Sequence, residues 1–198
     1  MQHRRLKVND RGATIIEASI ITPLLLLLIF GVIEGGLTFG DYLGLANSTR
    51  AGARVASASG SDGLSDYYIL QSVAAGSTAI PRSAIERIVV FKAATPDAPV
   101  PSACTTGATG VSEQCNVYVA SDFDLDSTRF GCSTASPPSP DRFWCPTSRK
   151  TARTGANGPP DIVGVWMKIH HPMLTGFFGT QLTFSDGTLM RIEPRRAE

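Results

Sequence analysis

One carboxylate, Glu17, stands directly before sixteen uncharged residues, Ala18 to Ile33, and a second, Glu34, follows them. An acid at the lip of an apolar segment is costly unless a cation or a donor meets it. Glu17 is therefore a candidate charge-pairing group. Asp122, Asp124 and Asp126 alternate as carboxylates do at the start of a calcium loop. The match then stops, because Ser127 takes the glycine position and Ser133 that of the bidentate glutamate. The three acids stand as a partial calcium candidate beside the plainer reading, an acidic strand edge or loop with Phe123 and Leu125 facing in. His170 and His171 are adjacent, so on a strand they point to opposite faces and cannot share a metal without a bend; a strand end is expected. Cys104, Cys115, Cys132 and Cys145 are the sulfur groups. An even cysteine number in an exported region reads as two disulfides. Three pairings exist, and the local one, Cys104 with Cys115 and Cys132 with Cys145, is favoured because short loops close most readily. None of the spacings is that of a zinc motif. No nucleophile elbow, phosphate loop or paired-carboxylate site stands out. No cofactor is expected.

The element that carries Glu17 is the apolar run itself. Sixteen helical residues span about 24 Å, short of a bilayer core of about 30 Å. Extension from Ala13 to Gly40 gives ample length if Glu17 and Glu34 reach the two interfaces. Pro23 removes one backbone hydrogen bond within the run, so a bend is expected there. Arg4, Arg5, Lys7 and Arg11 precede the run against one Asp10, and no Lys or Arg lies between Gly12 and Ser48. The positive-inside rule then puts the N-terminus in the cytoplasm and the chain beyond about residue 40 outside. All four cysteines fall on the oxidising side. A cleaved secretory signal is the bland alternative, but Ile33-Glu34-Gly35-Gly36 lacks a small-x-small cleavage pattern. The formal net charge of +1 gives no footprint for nucleic acid.

Beyond Gly40 the helix can continue to about Ser59, with Tyr42, Leu45, Ala46, Thr49, Ala53 and Ala56 as a stripe at helical spacing. Arg50 and Arg54 share a face, which reads as solvated or as a contact with a neighbouring subunit or lipid headgroups. Gly60-Ser61-Asp62-Gly63 breaks the helix, and 65–75 reads as a second, short one. Ile85–Ala93 is a buried strand, Asn116–Ser121 a further strand, and Ile162–His170 the clearest later one. Leu182–Phe184 and Thr188–Ile192 are expected to pair across a Ser185-Asp186-Gly187 turn. Residues 94–160 hold nine of the thirteen prolines and all the cysteines, so irregular structure is expected. The sum is α+β: a long N-terminal transmembrane helix, then a small antiparallel-sheet, disulfide-stapled domain.

Gly12 followed by Ala13-Thr14-Ile15-Ile16-Glu17 resembles a type IV prepilin processing site. More narrowly, Arg11-Gly12-Ala13, Glu17, Pro23-Leu24-Leu25-Leu26, Gly31 and Glu34-Gly35 resemble TadE-like pseudopilins of the tight-adherence (Flp) pilus system. Asn47-Ser48-Thr49-Arg50-Ala51-Gly52-Ala53-Arg54 is similar to that family's "Ala-Arg-x-Gly-Ala-Arg" segment, with Thr49 in place of the usual alanine. Thr188–Pro194 resembles its closing strand. The resemblance is specific over about residues 11–56. It implies cleavage between Gly12 and Ala13 by a prepilin peptidase on the cytoplasmic side. Glu17 becomes the fifth residue of the trimmed chain and pairs with the N-terminus of a neighbouring subunit. It implies a non-enzymatic minor pilin whose partners are other pilin or pseudopilin subunits, the prepilin peptidase, the pilus assembly machinery and the membrane. The expected organisation is a basic cytoplasmic leader over 1–12, a transmembrane and extended helix over 13–59, and an extracytoplasmic pilin-like domain over 60–198. The alternative is a signal-anchored extracytoplasmic enzyme or ligand-binding domain, which requires a concave pocket with converging polar groups in 60–198.

Overall fold

A computed structural model describes residues 11–152, 158–176 and 179–194. The basic leader residues Arg4, Arg5 and Lys7 lie outside the described residues. The chain forms two compact units, Met1–Phe39 and Gly40–Glu198.

Helix α1 (Arg11–Ser59) runs without interruption through Pro23. Its first part, through Phe39, carries exposed apolar side chains, among them Ile15, Ile20, Leu24, Leu28 and Val32. Its last part belongs to the second unit, and its buried side there is built from small residues. Gly44, Ser48, Gly52 and Ala56 recur every fourth position, which places them in one ridge along the helix. A Cβ on Gly52 would approach Val73 at 2.7 Å and Val165 at 3.1 Å, so α1 lies against both a second helix and the sheet. That second helix, α2 (Ser65–Gly76), presses back just as closely. A Cβ on Gly76 would meet the Ser48 Cα at 2.9 Å.

The sheet has the order β2-β1-β3-β4, with β1 at Ile85–Ala93, β2 at Cys115–Tyr118, β3 at Ile162–Pro172 and β4 at Gln181–Arg191. Every neighbouring pair is antiparallel. Alternation along β3 sends Val163, Val165, Met167 and Ile169 into the main core, where they meet Leu45, Ala53, Ala56, Ile69, Leu70 and Val73 of the two helices. The run Ile88-Val89-Val90-Phe91 in β1 is buried throughout because both faces of that strand are covered. Ile88 and Val90 join the main core; Val89 and Phe91 join a smaller cluster with Ile162, Cys104 and Cys115. Phe91 lies across Gly164, where any Cβ would collide with its ring.

Two sequence expectations are corrected. Residues 181–191 form one strand, not two arms around a Ser185-Asp186-Gly187 turn. β3 pairs with it residue for residue, Met167 opposite Asp186 and Trp166 opposite Gly187. The Trp166 ring sits over Gly187, and the Asp186 carboxylate accepts from the Thr49 hydroxyl of α1 at 3.0 Å, so both supposed turn residues have strand partners. The strand expected at Asn116–Ser121 stops at Tyr118. Asp122 accepts the Val119 N–H at 2.8 Å and starts a 3-10 turn over Ala120–Asp124.

The Pro- and Cys-rich region is irregular, apart from β2, a one-turn helix, α3 (Ser102–Thr106), and short 3-10 turns. Two disulfides fasten it: Cys104–Cys115 ties α3 to β2, and Cys132–Cys145 closes the following loop.

Candidate assembly segment and the framework behind it

The residues that could act at the N-terminal end sit on the exposed first part of α1. Gly12 and Glu17 are both exposed. The Ser19 hydroxyl turns back to the Ile16 carbonyl at 2.7 Å. The helix is long and apolar enough to cross a membrane, and none of its most apolar stretch is buried. A core helix of a soluble domain would bury such a stretch, so this surface is left for lipid or for other helices.

Past Gly40 the same helix becomes a spine for the second unit. Three contacts set its direction along the sheet. Asp41 meets His171 Nδ1 at 2.7 Å near one end of β3. The Thr49 hydroxyl meets Asp186 at 3.0 Å and Thr188 at 3.3 Å midway along β4. The Ser57 hydroxyl donates to the Arg191 carbonyl at 2.7 Å at the far end. Arg50 and Arg54 lie on the exposed side.

A fully buried polar cluster holds the irregular region to α2. The Asp66 carboxylate accepts from Asn116 Nδ2 at 2.7 Å, from the Tyr118 hydroxyl at 2.5 Å and from Arg149 Nη2 at 2.5 Å. The Arg149 guanidinium also stacks on Trp144, 4.3 Å from the ring centroid. Asn116 completes the link: its Oδ1 accepts the Phe143 and Trp144 N–H groups at 3.1 and 2.8 Å. Burial pushes the Tyr118 hydroxyl well above its usual ionisation range, and the Asp66 carboxylate beside it pushes the same way. Nearby, Asp141 accepts the Gly131 and Cys132 N–H groups at 2.9 and 3.0 Å. Burial raises its carboxyl above the ordinary value despite those bonds. None of this cluster was visible in the sequence. Asp66, Asn116 and Arg149 are far apart along the chain, and no spacing rule joins them.

The other residues singled out from sequence are dispersed. Asp122 caps the Val119 N–H, Asp124 pairs with Arg82 at 2.6 Å, and Asp126 accepts the Thr128 N–H at 2.9 Å. The three carboxylates thus serve three separate local contacts. Among the described residues no group of three or more His, Cys, Asp or Glu side chains is arranged to hold a metal. His170 and His171 sit near the end of β3 on opposite faces. His170 Nε2 faces Glu86 at 3.0 Å, a carboxylate also held by Lys168 at 2.8 Å, while His171 faces Asp41.

Two shallow grooves flank the connection between α2 and β1. One, of about 250 Å³, is lined by Ala74, Ser77, Thr78, Ile80, Arg82 and Phe123. The other, of about 280 Å³, is lined by Pro81, Ser83, Ala84, His170, Pro172 and Gln181. In the first groove the Ser77 hydroxyl is turned to the Ala74 carbonyl and Arg82 is taken by Asp124. In the second groove both His170 ring nitrogens face other groups, Nε2 on Glu86 at 3.0 Å and Nδ1 on the Thr183 hydroxyl at 3.4 Å, rather than the Ser83 hydroxyl.

Residues 12–54 match the family model described as TadE-like protein. No curated protein and no solved structure matches the chain. The matched segment begins at Gly12, contains the whole apolar stretch, and ends at Arg54. The chain thus carries a TadE-like segment joined to a disulfide-bonded α+β unit.

Proposed function

We propose that the protein is a minor pilin or pseudopilin of a tight-adherence pilus, trimmed between Gly12 and Ala13 and assembled through its N-terminal helix. The observation that carries this reading is the TadE-like match over residues 12–54. It coincides with an unburied apolar helix bearing one acid near its start. The helix holds the protein in the membrane with the leader in the cytoplasm and the sheet domain outside. From there it joins other pilin subunits and the assembly machinery, and the role needs no catalysis. Cleavage creates an α-amino group at Ala13, and Glu17 of one subunit pairs with that group on its neighbour. In a low-dielectric surrounding each charge relieves the other of being stranded. The disulfide-bonded unit is the part displayed.

Mass spectrometry of the membrane-derived protein tests the trimming. The expected N-terminus is Ala13, and an intact N-terminus in cells with an active prepilin peptidase refutes it. Glu17→Ala is expected to leave membrane insertion intact and to abolish pilus assembly; normal piliation by that variant refutes the pairing role.

A further inference from the structure

The connection between β3 and β4 lies at the end of the second unit where the chain enters. Asp41, two residues beyond Phe39, meets His171 at 2.7 Å, and Tyr42 meets Phe184 edge-on with ring centroids 6.3 Å apart. Residues 173–180 connect the strands at this end, while Ser57 marks the opposite one.

The chain around this connection is free of acidic and strongly basic residues and carries exposed apolar side chains. From Ile169 to Ser185 there is no Asp, Glu, Lys or Arg. Pro172 is exposed, and Leu174 is 68% exposed. On α1, Tyr42 is 44% and Leu43 45% exposed. The acid of this region, Asp41, is turned inward onto His171 rather than outward, the two side chains being 15% and 7% exposed. An apolar surface with a tyrosine at its rim, and with its nearest acid, Asp41, folded inward, suits the membrane–water interface.

We infer that Leu174 and the Tyr42–Leu43 face of α1 dock on the interfacial layer of the bilayer, giving the extracytoplasmic unit a second membrane contact beside its anchor. The choice of lipid follows from the chain itself. Gly40 begins this unit directly after Phe39 within one continuous helix, so the surface is tethered to whatever the first part of α1 enters. Tethering makes the second contact intramolecular, and a modest apolar area then suffices. The inference rests on the reading of the first part of α1 as membrane-spanning.

Two added-tryptophan reporters in the full chain, in vesicles containing nitroxide-labelled lipid, separate the two claims. Leu27→Trp reports the anchor, and Leu174→Trp the docked turn, each read as emission in excess of the parent protein. For Leu174→Trp, nitroxide near the headgroups is expected to remove about half of the added emission, more than nitroxide near the chain ends, as suits a depth of about 5–10 Å. Acrylamide in the water is expected to remove little. If lipid quenches the added emission at 27 while only acrylamide quenches it at 174, the anchor stands and the docking is refuted. Quenching at 174 by neither agent refutes it in favour of cover by a second protein copy. Absence of lipid quenching at 27 refutes the anchor reading, and the docking with it.

Discussion

Asp66→Ala should be among the most damaging single changes outside the apolar core. The Asp66 and Arg149 side chains are each 0% exposed, and their ion pair measures 2.5 Å. Removing the carboxylate leaves the guanidinium buried with the Trp144 ring and the Ser65 hydroxyl, 3.3 Å away, as its main neighbours. The Arg149 Nε has no hydrogen-bond partner among the described residues. Breaking one side of a buried pair costs about 3–5 kcal/mol, because the remaining charge cannot recover its hydration. The Tyr118 hydroxyl and the Asn116 amide lose an acceptor in the same step. In a unit of this size that is a fall of about 6–20 °C in melting temperature. The assay is thermal unfolding of the full chain in detergent, followed by near-ultraviolet circular dichroism with the disulfides intact. Pairing Asp66→Ala with Arg149→Met removes the stranded charge, so the double variant should recover at least about 1 kcal/mol relative to additivity. A loss below about 1 kcal/mol for Asp66→Ala, or strictly additive effects, refutes the view that the buried charge pair holds the irregular region to α2.

Replacing Cys132 and Cys145 by Ser opens a loop of sequence separation 13. A stability loss of about 3 kcal/mol is expected in denaturant melts under oxidising conditions; unchanged melts oppose it. Gly52→Leu forces a side chain between Val73 and Val165, with an expected cost of about 1–3 kcal/mol by the same melts, whereas the exposed Arg54→Ala should stay within about 0.5 kcal/mol. Tyr118 holds its proton more tightly in the folded state than at its ordinary value of 10.0. The folded state therefore carries the extra proton above that pH. The resulting stabilisation is complete below pH 10 and is lost as pH rises through the folded value. Stability measured against pH should fall above about pH 10 in the parent protein and fall less steeply in Tyr118→Phe.

Much of the frame was legible because it depends on local rules. Ile85–Ala93 and the alternation from Val163 to Ile169 describe strands before any partner is known, because side-chain period follows backbone geometry. The extent of α1 to Ser59 followed from the stripe of Tyr42, Leu45, Ala46, Thr49, Ala53 and Ala56 and the break at Gly60–Gly63. The strand at 181–191 was misread because Ser-Asp-Gly is a good turn by itself. Only pairing with β3, the Trp166 ring over Gly187 and the Thr49 hydroxyl on Asp186 keep it extended. The acids at 122, 124 and 126 look like one group in sequence and do three jobs in space.

The sequence alone determined the apolar segment, its leading acid and the charge asymmetry around it, since hydrophobic length and charge need no partner to exert their effect. It also placed the cysteines beyond the apolar segment, and their short spacings favoured the local pairs found here. Tertiary structure decided which polar groups meet. Asp66 finds Asn116, Tyr118 and Arg149, and Asp41 finds His171, across separations that no periodicity encodes. Burial then strengthens those contacts by taking away the competing water. It also decided that the β3–β4 turn lies beside Asp41, because the direction in which α1 crosses the sheet is a property of packing and not of any segment read by itself.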